Sequence, residues 1–129
     1  MQTISLSITA VFTALLALML VGISVRVTVL RARKKINFFD GGDQELGRAI
    51  RVQGNFIEYV PMTLALMALM EGMGARHWLV YTFGALLLAA RFAHAWGLYA
   101  GVVQARVVGT SGNWFLLAAG ALVVLGQVA

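Results

Sequence analysis

The sequence predicts an all-α membrane protein, built as an up-and-down bundle of four transmembrane helices. Of its 129 residues, 60% are hydrophobic and only 12% are charged. Soluble domains average about 45–50% hydrophobic residues and about 25% charged residues. The mean hydropathy is +0.85. The apolar residues also fall into long segments, and about 20 such residues cross a bilayer core. The length fits one domain, so we predict a single four-helix unit over residues 1–129.

The first helix is predicted from the apolar segment Ile4–Val25, which contains no charged residue. A cleaved signal peptide would have a basic start and a shorter apolar stretch of about 7–15 residues. The segment Met1–Ser7 carries no positive charge. We therefore expect this helix to stay in the mature protein as a true membrane span.

Three further helices follow at similar spacing. The second begins near Asp43–Leu46 and continues to Met70, the third covers Trp78 to about Tyr99, and the fourth runs from Asn113 to Val128. The fourth segment is short for a span, so a start as early as Val107 is left open. The first half of the second helix is polar, which distinguishes it from the others.

The basic residues predict the orientation in the membrane. Five of them follow the first apolar segment: Arg26, Arg31, Arg33, Lys34 and Lys35. They lead into a polar loop predicted at Arg31–Gln44, and Arg106 lies in the third connection on the same side. The positive-inside rule places these loops in the cytoplasm and both termini outside it. We expect an integral multi-pass protein of a bacterial inner membrane.

Composition also excludes several classes of function. In a soluble domain, the net charge of +5 would suggest nucleic-acid binding. Here the basic residues occupy juxtamembrane positions that meet lipid headgroups. No nucleic-acid partner is expected. The sequence has no cysteine, which removes thiolate metal sites and a catalytic cysteine. We expect no metal, and any sulfur chemistry must come with a substrate.

A stripe of polar side chains follows one face of the second helix. At 100° per residue its members lie within an arc of about 100°: Arg48, Arg51, Asn55, Glu58 and Tyr59. An ionised residue at mid-membrane costs about 2.5–3.5 kcal/mol, so such residues usually mark function. The stripe is a structural network between helices, a site for a zwitterionic, carboxylate-bearing ligand, or both at once. Arginine would take the carboxylate and glutamate the ammonium.

Helix three adds a second polar pair, because Arg91 and His94 are three residues apart and share a face. A histidine in a span is more often a hydrogen-bonding residue between helices than a ligand or base. Haem ligation by His77 and His94 is not expected, since 17 residues of helix separate them by about 25 Å. Arg106 is, by default, a headgroup contact that sets topology.

The run from Arg48 to Pro61, RAIRVQGNFIEYVP, resembles the second-helix signature of the MAPEG family, the membrane-associated proteins of eicosanoid and glutathione metabolism. The matching pattern is R-x-x-x-N-x-x-E-Y-x-P, and Asp40–Asp43 before it resembles the small bacterial branch. The resemblance covers nearly the whole chain. It implies four-helix protomers, a homotrimer, and glutathione bound between protomers near the cytoplasmic side.

The resemblance also implies roles for individual residues. Glutathione contacts would come from Arg51, Asn55, Glu58, Tyr59, Arg91 and His94, with Gln53 reaching the ligand from the other protomer's side. A basic residue of helix one, Arg26 or Arg31, would complete the site. Arg106 would be the catalytic residue that stabilises the glutathione thiolate, because a free thiol of pKa about 8.5 needs a cation to ionise near pH 7.

The leading interpretation is a glutathione-dependent transferase or peroxidase that detoxifies lipophilic electrophiles from the bilayer. Two other classes stay open. Small four-span multidrug exporters exchange protons on an intramembrane glutamate. In those exporters it is a lone glutamate in the first span, whereas helix one of this chain has no acidic residue. In the third class, a non-catalytic scaffold, the polar stripe only ties protomers together.

Overall fold

A computed structural model describes residues 4–129, which form four helices and, within that range, no strand. The helices are α1 (Ser7–Lys34), α2 (Gln44–Gly72), α3 (His77–Ala100) and α4 (Val103–Val128). The predicted all-α class is confirmed. Of the segment Met1–Ser7, on which the signal-peptide argument rests, the first three residues lie outside the described part.

Helix α1 is longer than predicted at its end. It continues past Val25 to Lys34, so the basic cluster occupies its last turns and the loop is shorter than Arg31–Gln44. Three basic residues in the last turn suit the partial negative charge of a helix C-terminus. Lys35 adopts a left-handed conformation with φ of 56° and ends the helix.

Helix α4 starts earlier than predicted, at Val103 rather than at Asn113 or Val107. The connection to α3 is correspondingly short, and Gly101 supplies the positive φ of 73° that reverses the chain. The placement of Arg106 in a connection is therefore wrong, because Arg106 lies in the first turns of α4.

The start of α2 is capped by a side chain. The carboxylate of Asp43 accepts a hydrogen bond from the Leu46 backbone N–H at 2.8 Å. Its other oxygen accepts one from the Lys34 ammonium at 2.7 Å, which joins the end of α1 to the start of α2. The Lys34 bond, followed by the Leu46 bond, holds the pKa of Asp43 below its usual value.

Three of the four helices, α1, α3 and α4, are long and apolar enough to cross a membrane. Helix α2 is equally long but carries Glu45, Arg48, Arg51 and Glu58 in its first half. It packs against all three apolar helices, so part of its polar surface is sheltered by them. The protein is an integral, multi-pass membrane protein.

Close packing between α3 and α4 depends on glycine. A Cβ atom at Gly109 would lie 2.6 Å from both the Cβ and the backbone nitrogen of His94. A Cβ atom at Gly97 would collide with the backbone nitrogen of Arg106. The two backbones therefore approach each other directly at these points, as small residues allow in membrane helices, and they bring His94 and Arg106 to one end of the bundle.

Candidate functional site

Arg51 and Glu58 form an ion pair on the exposed face of the polar stripe. One Arg51 nitrogen lies 3.2 Å from a Glu58 oxygen, and a second nitrogen donates to the other oxygen at 3.4 Å. The seven-residue spacing places these side chains two turns apart on one face. Gly54 lies beneath them, because a Cβ there would be 3.5 Å from Arg51 and 3.9 Å from Glu58. The side chains remain 56% and 50% exposed, so both are open to a further partner.

Arg91 of α3 is the largest fully buried side chain, with 2% exposed. It donates one hydrogen bond to the Asn55 side-chain oxygen at 2.6 Å and one to the Gly109 carbonyl at 2.9 Å. Its Nε atom has no hydrogen-bond partner in the described chain. Arg91 thus links α2, α3 and α4, as the structural interpretation of the stripe expects, and its contact with glutathione stays a prediction.

His94 lies within electrostatic range of several of the charged groups. It is buried, with 4% of its surface exposed, and it packs against Gly109 of α4. Four charged side chains act on it electrostatically: Arg91, Arg106, Arg51 and Glu58. The fold therefore brings five of the predicted site residues into one neighbourhood, although they come from α2, α3 and α4. Tyr59, next to Glu58, is partly buried in the same region.

Two predicted site residues bind elsewhere within the chain. Gln53 points away from the stripe and donates to the Ser24 hydroxyl of α1 at 3.0 Å. Arg31 donates to the backbone carbonyls of Phe39 at 2.7 Å and Ile36 at 3.3 Å, which orders the loop after α1. Neither forms a hydrogen bond with the Arg51–Glu58 pair.

Arg106 is exposed on the first turns of α4. No side chain caps this helix terminus in the described part of the chain, so its free N–H groups and partial positive charge face outward. The arginine adds a full positive charge at the same place. This end of α4 is suited to stabilise an anion.

The structure also shows polar contacts that the sequence did not indicate. Glu71 accepts hydrogen bonds from the backbone at the start of α1, and Asn113 donates to the buried hydroxyl of Thr63 at 3.3 Å. Arg26 stacks on the ring of Tyr99 at 4.3 Å from its centre. The only available signal was a polar residue in an apolar helix, which does not reveal the partner. No cluster of three metal-binding side chains occurs in residues 4–129.

Comparison with known proteins agrees with the signature in α2. Residues 9–126 match the model of the MAPEG family. The chain is 38% identical over 110 residues to "Inner membrane protein YecN" of Escherichia coli K12. The aligned region covers 85% of this chain and 84% of that protein. The YecN protein of E. coli O6:H1 matches at the same identity and coverage. The family match extends through all four helices, and this chain is a member of the MAPEG family.

Proposed function

We propose that this protein is a membrane enzyme that uses glutathione as co-substrate and acts on lipophilic electrophiles or hydroperoxides. One observation carries the proposal: the Arg51–Glu58 pair is half exposed on a helix that packs within a membrane bundle. Charges at this depth are costly unless they face a polar partner. A ligand with both charges would satisfy the pair.

Glutathione has the chemistry that this pair would recognise. It carries two carboxylates and one ammonium, joined by amide bonds. Arginine binds carboxylates in bidentate geometry, so Arg51 would take a carboxylate. Glu58 is an acceptor for the ammonium, and Tyr59 offers a hydroxyl next to it. Asn55, held by Arg91 at 2.6 Å, keeps this part of α2 in place.

A second protomer would complete the site. In one chain, the exposed sides of Arg51 and Glu58 have no protein cover, while Gln53 and Arg31 lie on other surfaces of the chain. A homotrimer, as the family resemblance implies, would set those residues against a neighbour's stripe. Closed symmetric assembly is common among homo-oligomers. By similarity to the YecN proteins, the assembly would reside in an inner membrane.

Arg106 is the residue proposed to act on the reacting sulfur. Its guanidinium and the free N–H groups at the start of α4 stabilise a thiolate over a thiol. The thiol proton leaves to solvent. The sulfur then forms a bond to the electrophilic carbon, and the leaving group departs with the electron pair of the bond that breaks. His94 lies among the same charges and is proposed to position the tripeptide.

A binding and turnover experiment tests the proposal. Purified protein in detergent is titrated with glutathione by calorimetry and assayed with a chloro-nitroaromatic electrophile. We expect binding and turnover in the native chain, and binding at least about tenfold weaker for Arg51→Ala and Glu58→Gln, since each loses a charge-assisted hydrogen bond. Arg33→Gln is the matched control, because Arg33 is exposed and unpaired among residues 4–129.

Two results would contradict the proposal. If the native chain neither binds glutathione nor turns over, and Arg51→Ala disperses the oligomer, the stripe is a scaffold contact. If proteoliposomes show proton-coupled efflux that Glu58→Gln abolishes, the protein is a transporter. The ion pair argues against the second result, because an arginine 3.2 Å from the Glu58 carboxylate repels the cationic substrates that such exporters carry.

A further inference from the structure

A second polar pocket, separate from the Arg51–Glu58 pair, lies at the end of the bundle where α1 ends and α2 begins. It encloses about 220 Å³ and is lined by Arg26, Gln44, Glu45, Arg48 and Tyr99. Arg26 is held over the Tyr99 ring, a cation–π contact that fixes its guanidinium. The Tyr99 hydroxyl in the wall is buried and has no hydrogen-bond partner among the described residues.

The charges of this pocket favour an anion. Its one carboxylate belongs to Glu45. This carboxylate lies 3.0 Å from Lys34 and 3.7 Å from Arg26, so Lys34 is its nearer partner. Arg48 forms no ion pair or hydrogen bond within residues 4–129; its guanidinium lies near Gly101 at the end of α3. Two guanidinium groups therefore line a cavity with one shared counter-charge, and the Tyr99 side chain forms part of its wall.

An apolar groove adjoins the pocket. It runs between α1 and α3, encloses about 350 Å³, and shares Arg26 and Tyr99 with the polar pocket. The remaining lining residues are Met19, Gly22, Ile23, Phe92, Ala95 and Trp96. From Tyr99 back to Phe92 is seven residues, or about 10 Å along the helix. The groove therefore extends from the charged end of the bundle toward its middle, and Phe92 and Trp96 are each 58% exposed at its surface.

We propose that the pocket and groove together form a binding site for an anionic phospholipid. The phosphate would lie between Arg26 and Arg48, which bind phosphate oxygens in bidentate geometry, and one acyl chain would follow the groove between α1 and α3. Basic pockets between transmembrane helices are known to bind phospholipid headgroups. The charge complementarity of the head and the continuity with the apolar groove identify this occupant, independently of the proposed enzyme function.

Trp96 provides a reporter within the groove. A variant with Trp78→Phe and Trp114→Phe keeps Trp96 as its single tryptophan. In nonionic micelles it is titrated with phosphatidylglycerol or phosphatidylcholine that carries bromine on its acyl chains, since bromine quenches nearby tryptophan fluorescence. We expect half-maximal quenching at an at least about fivefold lower mole fraction for phosphatidylglycerol, the ratio that one effective basic contact gives.

Matched variants separate this site from general surface charge. Arg26→Gln with Arg48→Gln should bring the two lipids to the same midpoint, and Arg26→Lys with Arg48→Lys should retain a preference. Arg33→Gln with Lys35→Gln removes the same charge from the same end and should leave the preference intact. Equal quenching of the native chain by both lipids overturns the proposal. So does loss of the preference in the Arg33 and Lys35 variant, or its abolition by millimolar inorganic phosphate, which would identify a free-anion site.

Discussion

The carboxylate of Glu71, near the end of α2, accepts a hydrogen bond from the backbone N–H of Thr9 at 2.7 Å, across 62 positions of sequence. Its other oxygen accepts from the N–H of Ile8 at 2.9 Å. These N–H groups belong to the first turn of α1, which has no capping side chain of its own in the described residues. An acid from another helix therefore satisfies donors that a helix N-terminus leaves free, and its charge suits the helix dipole.

Replacing Glu71 by alanine is expected to lower the free energy of unfolding by about 1–3 kcal/mol, because two buried N–H groups lose their acceptor. Circular dichroism during titration with sodium dodecyl sulfate measures this change. Glu45→Ala is the control at the opposite end of α2. Glu45 is 54% exposed, so its ion pairs should contribute at most about 1 kcal/mol. An equal loss in both variants would contradict the capping role.

Gly109→Ala is expected to separate α3 from α4. The new methyl would lie 2.6 Å from two His94 atoms, and overpacking of this kind costs about 1–3 kcal/mol. Gly112→Ala, on the same helix, has its nearest neighbour at 3.7 Å. It should be neutral or stabilising by up to about 1 kcal/mol, since alanine favours helix over glycine. The same detergent titration compares them, and a destabilised Gly112→Ala with an unaffected Gly109→Ala would show that the contact is wrong.

Acid is expected to loosen the junction between α1 and α2. The hydrogen bond from Lys34 lowers the pKa of Asp43 in the folded chain, so its stabilisation is complete above the unfolded pKa of about 3.9. It is lost as the pH falls from there through the folded pKa. The protection factors of residues 35–47 in hydrogen exchange, corrected for the intrinsic exchange rate, should therefore fall below about pH 4. Asp43→Asn should exchange faster at neutral pH and lose the acid dependence; an unchanged pH profile in this variant would assign the effect to another group.

The number and order of the helices followed from hydropathy, but two helix ends did not. Hydropathy falls after Val25 because the basic residues begin, yet the backbone stays helical to Lys34. Charged side chains of a juxtamembrane helix reach water while their backbone bonds continue. Likewise α4 begins at Val103, before its apolar stretch. Membrane-crossing length and helix length are different quantities, and only the first is encoded in hydropathy.

The candidate site was predictable as a face but not as a set of contacts. Helical periodicity placed Arg51, Asn55 and Glu58 on one side of α2. Which side chains Asn55 and Glu71 would meet depends on the rotation and depth of helices far apart in sequence, as the 36-residue separation of Arg91 and Asn55 illustrates. The glycine contacts that set this register have no distinctive local pattern.

The Arg91–Asn55 bond is expected to show strong energetic coupling. A double-mutant cycle with Arg91→Met and Asn55→Ala should give an interaction energy of about 1.5–3 kcal/mol, typical of a buried hydrogen bond to a charged group. Unfolding free energies of the four proteins supply the cycle. Thr63→Ala serves as the comparison partner, because Thr63 bonds Asn113 and Tyr59 rather than Arg91. Additivity of Arg91→Met with Asn55→Ala, within about 0.5 kcal/mol, would contradict the coupling.

Arg106→Ala is expected to reduce glutathione-dependent turnover while binding changes little, if the proposed function holds. Without a cation, a thiol of pKa about 8.5 is only about 3% ionised at pH 7, so the rate should fall by up to roughly thirtyfold. Raising the assay to about pH 9 should recover most of this loss, because the free thiol then ionises by itself. Arg106→Lys should keep part of the rate at pH 7. Calorimetry monitors binding, and Arg33→Gln controls for surface charge. If Arg106→Ala leaves the rate at pH 7 unchanged, Arg106 takes no part in the reaction. The proposed binding through Arg51 and Glu58 would not be affected by that result.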